Sequence, residues 1–180
     1  MYFPILRGRQ FELLALRECV KENVLSNQII PIVEPVKVSS TYIKTIDSFI
    51  EAEKPIAVIR NPQVGSWSKD LKKESNINIS AQFQKQFKAP CVISSFYVTP
   101  ELEKDIRSAI EKGNSIESML LLCNNPEYVD EYENVIGEKK PLYTLIPDRG
   151  DFRRRIRSNR VMCEDHFPKQ TRNIDYLDTE

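Results

Sequence analysis

Seven short apolar runs, each stopped by polar residues, constrain this chain more than any other feature. They are Tyr2 to Leu6 (stopped by Arg7 and Gly8), Ile29 to Val33 (Glu34), Ile56 to Ile59 (Arg60 and Asn61), Cys91 to Ile93 (Ser94 and Ser95), Met119 to Cys123 (Asn124 and Asn125), Leu142 to Ile146 (Asp148 and Arg149) and Val161 to Cys163 (Glu164 and Asp165). Runs of this length, roughly 18 to 35 residues apart with helical patterns between them, predict βα units and a parallel sheet. The expected fold class is α/β: repeated βα units in a TIM-barrel-like sheet that is incomplete or open, because seven strands are one short of a closed (β/α)8 barrel.

The intervening segments carry helix grammar. Leu13, Leu16 and Val20 form the stripe of a helix packed on one side, and Ser39 or Ser40 can cap the helix carrying Ile43, Ile46 and Ile50. Thr99-Pro100-Glu101 and Asn125-Pro126-Glu127 are start signals, with Gly113 and Gly137 as the matching stops. The irregular stretch from Pro62 to Lys88 is expected to hold a short helix and a second one around Phe83 and Phe87, with Trp67 closing the core or stacking on a ligand. A short basic helix is expected over Phe152 to Asn159. Residues 1–167 read as one βα-repeat domain and 168–180 as an irregular tail, with Pro168, Asn173 and Asp175 arguing against a further helix.

Composition removes several function classes. With 26 basic and 26 acidic residues, no global field favours nucleic acid or an anionic membrane. Apolar stretches of about five residues are far too short to span a bilayer, and Met1 leads straight into a strand, so the chain reads as cytoplasmic. Cys19, Cys91, Cys123 and Cys163 contain no C-x-x-C pair and read as buried reduced thiols. A single histidine, His166, excludes His-rich zinc sites, and neither phosphate-loop nor dinucleotide glycine patterns occur.

A parallel sheet gathers the ends of its strands on one side, where ligands bind in barrels and open α/β sheets. The candidate site therefore comprises the terminators Arg7, Glu34, Arg60, Asn61, Asn124, Asp148, Arg149, Glu164 and Asp165. Glu34, Asp148 and Asp165 are the candidate catalytic acids, able to hold Mg²⁺ or shuttle protons, while Arg7, Arg60, Asn61, Asn124 and Arg149 are candidate ligand contacts. The plain alternative is a rim of arginines and acids paired with one another. Arg153, Arg154, Arg155, Arg157 and Arg160 form the densest charge feature, readable as a phosphate-binding face or a solvated one.

Three segments resemble the bacterial and phage "beta protein" family: the opening Tyr2-Phe3-Pro4-Ile5-Leu6-Arg7-Gly8-Arg9 continuing to Glu18, Arg60-Asn61-Pro62-Gln63-Val64-Gly65 after the third strand, and Asp165-His166-Phe167-Pro168 continuing to Tyr176. The resemblance implies a βα-repeat fold and a setting in phages and mobile or defence-related regions. Members of that family are commonly longer than this chain. It carries no established catalytic residues.

Two expectations follow. One is a barrel-like domain that binds a phosphorylated small molecule or nucleic acid at its strand-end face, with metal-assisted phosphoester chemistry if it is an enzyme. The other is a non-catalytic interaction module acting with a partner protein or a second copy. An unclosed sheet exposes its first and last strands, so the edge at Tyr2 to Arg7 or at Val161 to Asp165 is expected to be covered by the tail, a second copy or a further C-terminal segment.

Overall fold

The computed structural model describes residues 1–163. Seven strands alternate with helices. The strands are β1 (Ile5–Leu6), β2 (Ile32–Val33), β3 (Ile56–Ile59), β4 (Val92–Tyr97), β5 (Leu120–Leu122), β6 (Tyr143–Ile146) and β7 (Arg160–Met162). The helices are α1 (Gln10–Lys21), α2 (Ser40–Glu51), α3 (Trp67–Asp70), α4 (Ile77–Gln86), α5 (Leu102–Glu111), α6 (Val129–Ile136) and α7 (Gly150–Arg155). Every strand pairs in parallel with the next in sequence, giving the order β1-β2-β3-β4-β5-β6-β7. The sheet curls into a half-barrel, as expected of an open βα-repeat fold. Phe3 and Tyr143, beside β1 and in β6, meet across the inside in an edge-on contact with centroids 4.9 Å apart.

Side chains alternate across the sheet with period two, which sorts the core into an inner and an outer layer. Phe3, Ile30, Ile32, Ala57, Ile59, Ile93, Leu120, Leu122 and Leu145 fill the inside. On the outside, Leu13, Leu16, Ile43, Ile46 and Phe49 pack the first helices onto Val33, Ile56 and Val58. Ile106, Ala109, Val129, Tyr132, Ile136 and Phe152 do the same for α5 to α7.

The local grammar is largely as read. Ser39 Oγ accepts from the Tyr42 amide at 3.2 Å, Asn125 Oδ1 from the Glu127 amide at 3.0 Å and Thr99 Oγ1 from the Glu101 amide at 3.3 Å, each satisfying a donor that the first turn leaves free. Trp67 belongs to the core: it is 2% exposed and packs on Tyr42 and Phe83 with centroids 5.0 and 4.8 Å away. Gly65 makes that placement feasible. Its φ is +79°, and a Cβ there would sit 2.0 Å from the Val36 carbonyl oxygen, which accepts from both Ser66 and Trp67 amides.

Two expectations are corrected. Ser94 and Ser95 do not end the fourth strand, which runs on to Tyr97 with both serines buried. The apolar run masks this because two small hydroxyls interrupt it, yet a serine can satisfy its own oxygen within a buried strand. The short basic helix is Gly150–Arg155 rather than 152–159, since beyond Arg155 the chain must extend to enter β7. Cys123 is buried, whereas Cys19, Cys91 and Cys163 are only partly so, and none of the four forms a disulfide. Burial pushes the Cys123 thiol up to about 12, making it a poor nucleophile. Among the described residues, no helix is long and apolar enough to cross a membrane.

Candidate functional site

The inner face has a dry floor and a polar rim. Ile32, Ala57, Ile59 and Leu120 are completely buried; two residues beyond the inward-facing Ile32, Ile59, Ser95 and Leu122, in the strand direction, lie Glu34, Asn61, Tyr97 and Asn124. The same parity that fills the interior with aliphatic groups thus carries this polar set to its C-terminal opening.

Glu34 and Tyr97 form the centre. Glu34 is only 4% exposed; its Oε1 accepts from the Gln63 amide at 2.7 Å and its Oε2 from the Tyr97 hydroxyl at 3.2 Å. These bonds occupy two of about four acceptor positions on the carboxylate, leaving lone pairs for a ligand hydroxyl or amine. Burial and the adjacent Glu34 charge raise the Tyr97 phenol well above its ordinary value, so it stays protonated, while the positive charge of Arg7 acts in the opposite direction. Gly8, at φ +58°, turns the chain directly after Arg7, where a Cβ would come within 3.0 Å of the Glu34 carbonyl oxygen.

Asn61 holds this pair in place rather than facing a ligand. Its amide nitrogen donates to the Tyr97 carbonyl at 3.0 Å and to Asp105 Oδ2 at 2.9 Å, and its oxygen accepts from the Tyr97 amide at 2.9 Å. Both donors are therefore spent within the fold, and the ends of β3 and β4 are pinned together.

Arg60, one residue earlier, falls on the opposite parity. Its guanidinium lies under the helical layer, 4.1 Å from the centroid of the Phe87 ring, and is not brought together with Arg7 and Glu34. Asn124 is exposed at the end of β5. Asp148 and Arg149 are exposed beyond β6 and engaged locally, Asp148 with Arg153 at 3.0 Å and Arg149 with Asp151 at 2.7 Å. Glu164 and Asp165 lie outside the described residues. Among the described residues, no three His, Cys, Asp or Glu side chains gather as a metal cluster; Asp165, the third candidate acid, lies outside them.

The arginine-rich segment is mostly consumed by its neighbours. Arg155 reaches Asp130 at 2.5 Å and also pairs with Glu133, Arg157 donates to the Arg154 carbonyl, and Arg160 donates to the Arg153 and Ile156 carbonyls. A guanidinium tied to carboxylates and backbone has few donors left for phosphates, which favours the solvated-face alternative.

Tyr97 is the site residue that the sequence pattern missed. The signal was present: Ile93, Ser95 and Tyr97 alternate with Ser94, Phe96 and Val98, a period-two strand written partly in hydroxyls. Comparison with known proteins identifies no relatives, as no family model, curated protein or solved structure matches this chain.

Proposed function

We propose that this half-barrel binds a small phosphorylated molecule at its strand-end opening. Arg7, exposed after β1 and acting on the Tyr97 phenol, supplies the cation for the phosphate, and the Glu34–Tyr97 pair recognises a hydroxyl or amine on the rest of the ligand. The observation that carries this reading is a nearly inaccessible carboxylate, hydrogen-bonded to a phenol, at the end of a parallel sheet where α/β proteins bind ligands.

Thermal unfolding against a panel of sugar phosphates and nucleotides tests it. A true ligand at 100-fold its Kd should stabilise the fold by about 2.7 kcal/mol, and Glu34→Gln and Tyr97→Phe should remove that gain. A panel without any stabilising compound, or a gain that survives both substitutions, refutes the reading. A response to single-stranded nucleic acid that falls steeply with salt would transfer the site to the polyanion class. The resemblance to the beta protein family supports a role in phage–host conflict; expression in a bacterial host should then lower plaque counts, with Glu34→Gln restoring them.

One observation favours the interaction-module reading. Met1 to Ile5 and Val161 to Cys163 face each other across a cleft of about 420 Å³, with Met1, Tyr2, Ile5 and Met162 exposed. Light scattering that finds a concentration-independent monomer would count against self-association there.

A further inference from the structure

The outer side of the sheet carries a second polar site that does not depend on the strand-end opening. Arg60 follows β3 and passes beneath the helical layer, where Phe87 supports its guanidinium face at 4.1 Å. Its Nη1 donates to Ser94 Oγ at 3.5 Å; Ser94 in turn donates to Asn114 Oδ1 at 2.9 Å, and Asn114 Nδ2 donates to the Ala109 carbonyl at 3.1 Å. Ser94 is 2% exposed. The head group is thus oriented by a hydrogen-bonded chain anchored in β4 and α5.

Among the described residues, no carboxylate lies within ion-pair distance of Arg60. The nearby Asp105 accepts from Asn61 instead. A half-buried guanidinium without a counter-ion is costly to maintain, and burial lowers its pKa even though Asp105 opposes the shift. The groove above it, about 530 Å³, is bordered by Gln84, Phe87, Lys88, Lys112 and Asn114. Lys88 lies just beyond the end of α4 and Lys112 just beyond the end of α5, both exposed. A deeper recess of about 190 Å³ adjoins it, walled by Trp67, Phe83, Asp105 and Ser108.

We propose that this groove binds the phosphate group of a small-molecule phosphomonoester, with Arg60 at the floor supplying a planar donor fork and Lys88 and Lys112 closing over the anion from the rim. Three cations against one acid suit a dianion, and the recess receives the organic part of the ester.

Nitrogen-edited NMR of the whole chain, titrated separately with inorganic phosphate and phenyl phosphate, tests the site. The Arg60 side-chain resonance and the amides of Lys112 to Asn114 should shift together, with phenyl phosphate binding more tightly than phosphate. Arg60→Met should weaken binding by about tenfold or more, and Arg60→Lys should fall between it and the parent. Lys112→Glu, at an exposed position where folding is not at stake, should weaken it several-fold, whereas Arg154→Gln on α7 should leave it unchanged. Arg7→Gln and Tyr97→Phe should also leave it unchanged, so failure of the strand-end reading and failure of this one are separable. Absence of saturable shifts at Arg60, equal loss with Arg154→Gln, or undiminished binding by both Arg60→Met and Lys112→Glu would overturn the proposal.

Discussion

Arg60 and Asn61 are adjacent in sequence but serve different regions of the molecule. Asn61 pins the backbone of Tyr97 at the inner opening and reaches Asp105 on α5, while Arg60 lies outward against Phe87. The inner opening is organised by hydrogen bonds: Glu34, Tyr97, Gln63 and Asn61 spend much of their polar capacity on one another. The outer region is organised by packing, with Tyr42, Trp67, Phe83 and Phe87 in a chain of ring contacts around a single oriented cation. In a parallel sheet, then, collecting strand-end residues is not sufficient to define a site; their parity decides which of two surfaces each one serves.

This contrast can be broken most forcefully through Trp67. If packing sustains the outer region, Trp67→Ala should cost about 3–5 kcal/mol in urea unfolding; a loss under 1 kcal/mol would mean that the aromatic cluster is dispensable. Glu34→Ala should come next, at about 1–3 kcal/mol, because it leaves the Tyr97 hydroxyl and the Gln63 amide without their acceptor in a part-buried setting. Full stability in that variant would show that water replaces the carboxylate without penalty. Tyr97→Phe, which deletes one hydrogen bond and keeps the ring, should cost only about 0.5–1.5 kcal/mol, and a larger effect would give the phenol a packing role that the contrast denies it.

The smallest effect concerns pH and the residue between the two regions. Burial raises the Asp105 carboxyl above its ordinary value, with the hydrogen bond from Asn61 pulling the other way. The folded state consequently holds this proton more tightly than the unfolded chain does. Asp105 therefore favours folding below the ordinary aspartate range, and that contribution is lost as pH rises through the raised folded value. Asp105→Asn should flatten this part of the stability profile while keeping an acceptor for Asn61. An NMR titration placing the Asp105 midpoint at or below the usual aspartate value would reverse the expected sign.

The fold was legible because apolar runs and helix caps act locally: the runs from Ile56 to Ile59 and Leu142 to Ile146 contain their strands within a residue, and Ser39 and Asn125 cap as their types predict. The site was only half legible. Glu34 could be found because one acid stops an otherwise apolar run, but Tyr97 was hidden behind Ser94 and Ser95, whose burial depends on neighbouring strands. Asn61 and Arg60 were read as one set, yet the first bonds to Tyr97 and Asp105 and the second lies against Phe87 and Ser94. Whether a polar group is free or already bonded depends on partners 34 to 44 residues away, and no local pattern encodes those distances. The arginines of α7 illustrate the same limit, since Asp130 and Glu133, which engage Arg155, belong to the preceding βα unit.

The unbroken strand order has a consequence for how the chain can be built. Each new strand docks on the one completed just before it, so a polypeptide leaving the ribosome can extend its sheet in the order of translation, without waiting for a distant partner. Loop closure is therefore brief at every step, a condition that speeds folding and shortens the exposure of bare sheet edges. The contact between Phe3 and Tyr143 departs from this order, joining positions at opposite ends of the growth. It can form only after β6 has been added, which makes it a natural reporter of the moment when a growing ribbon becomes a curled shell.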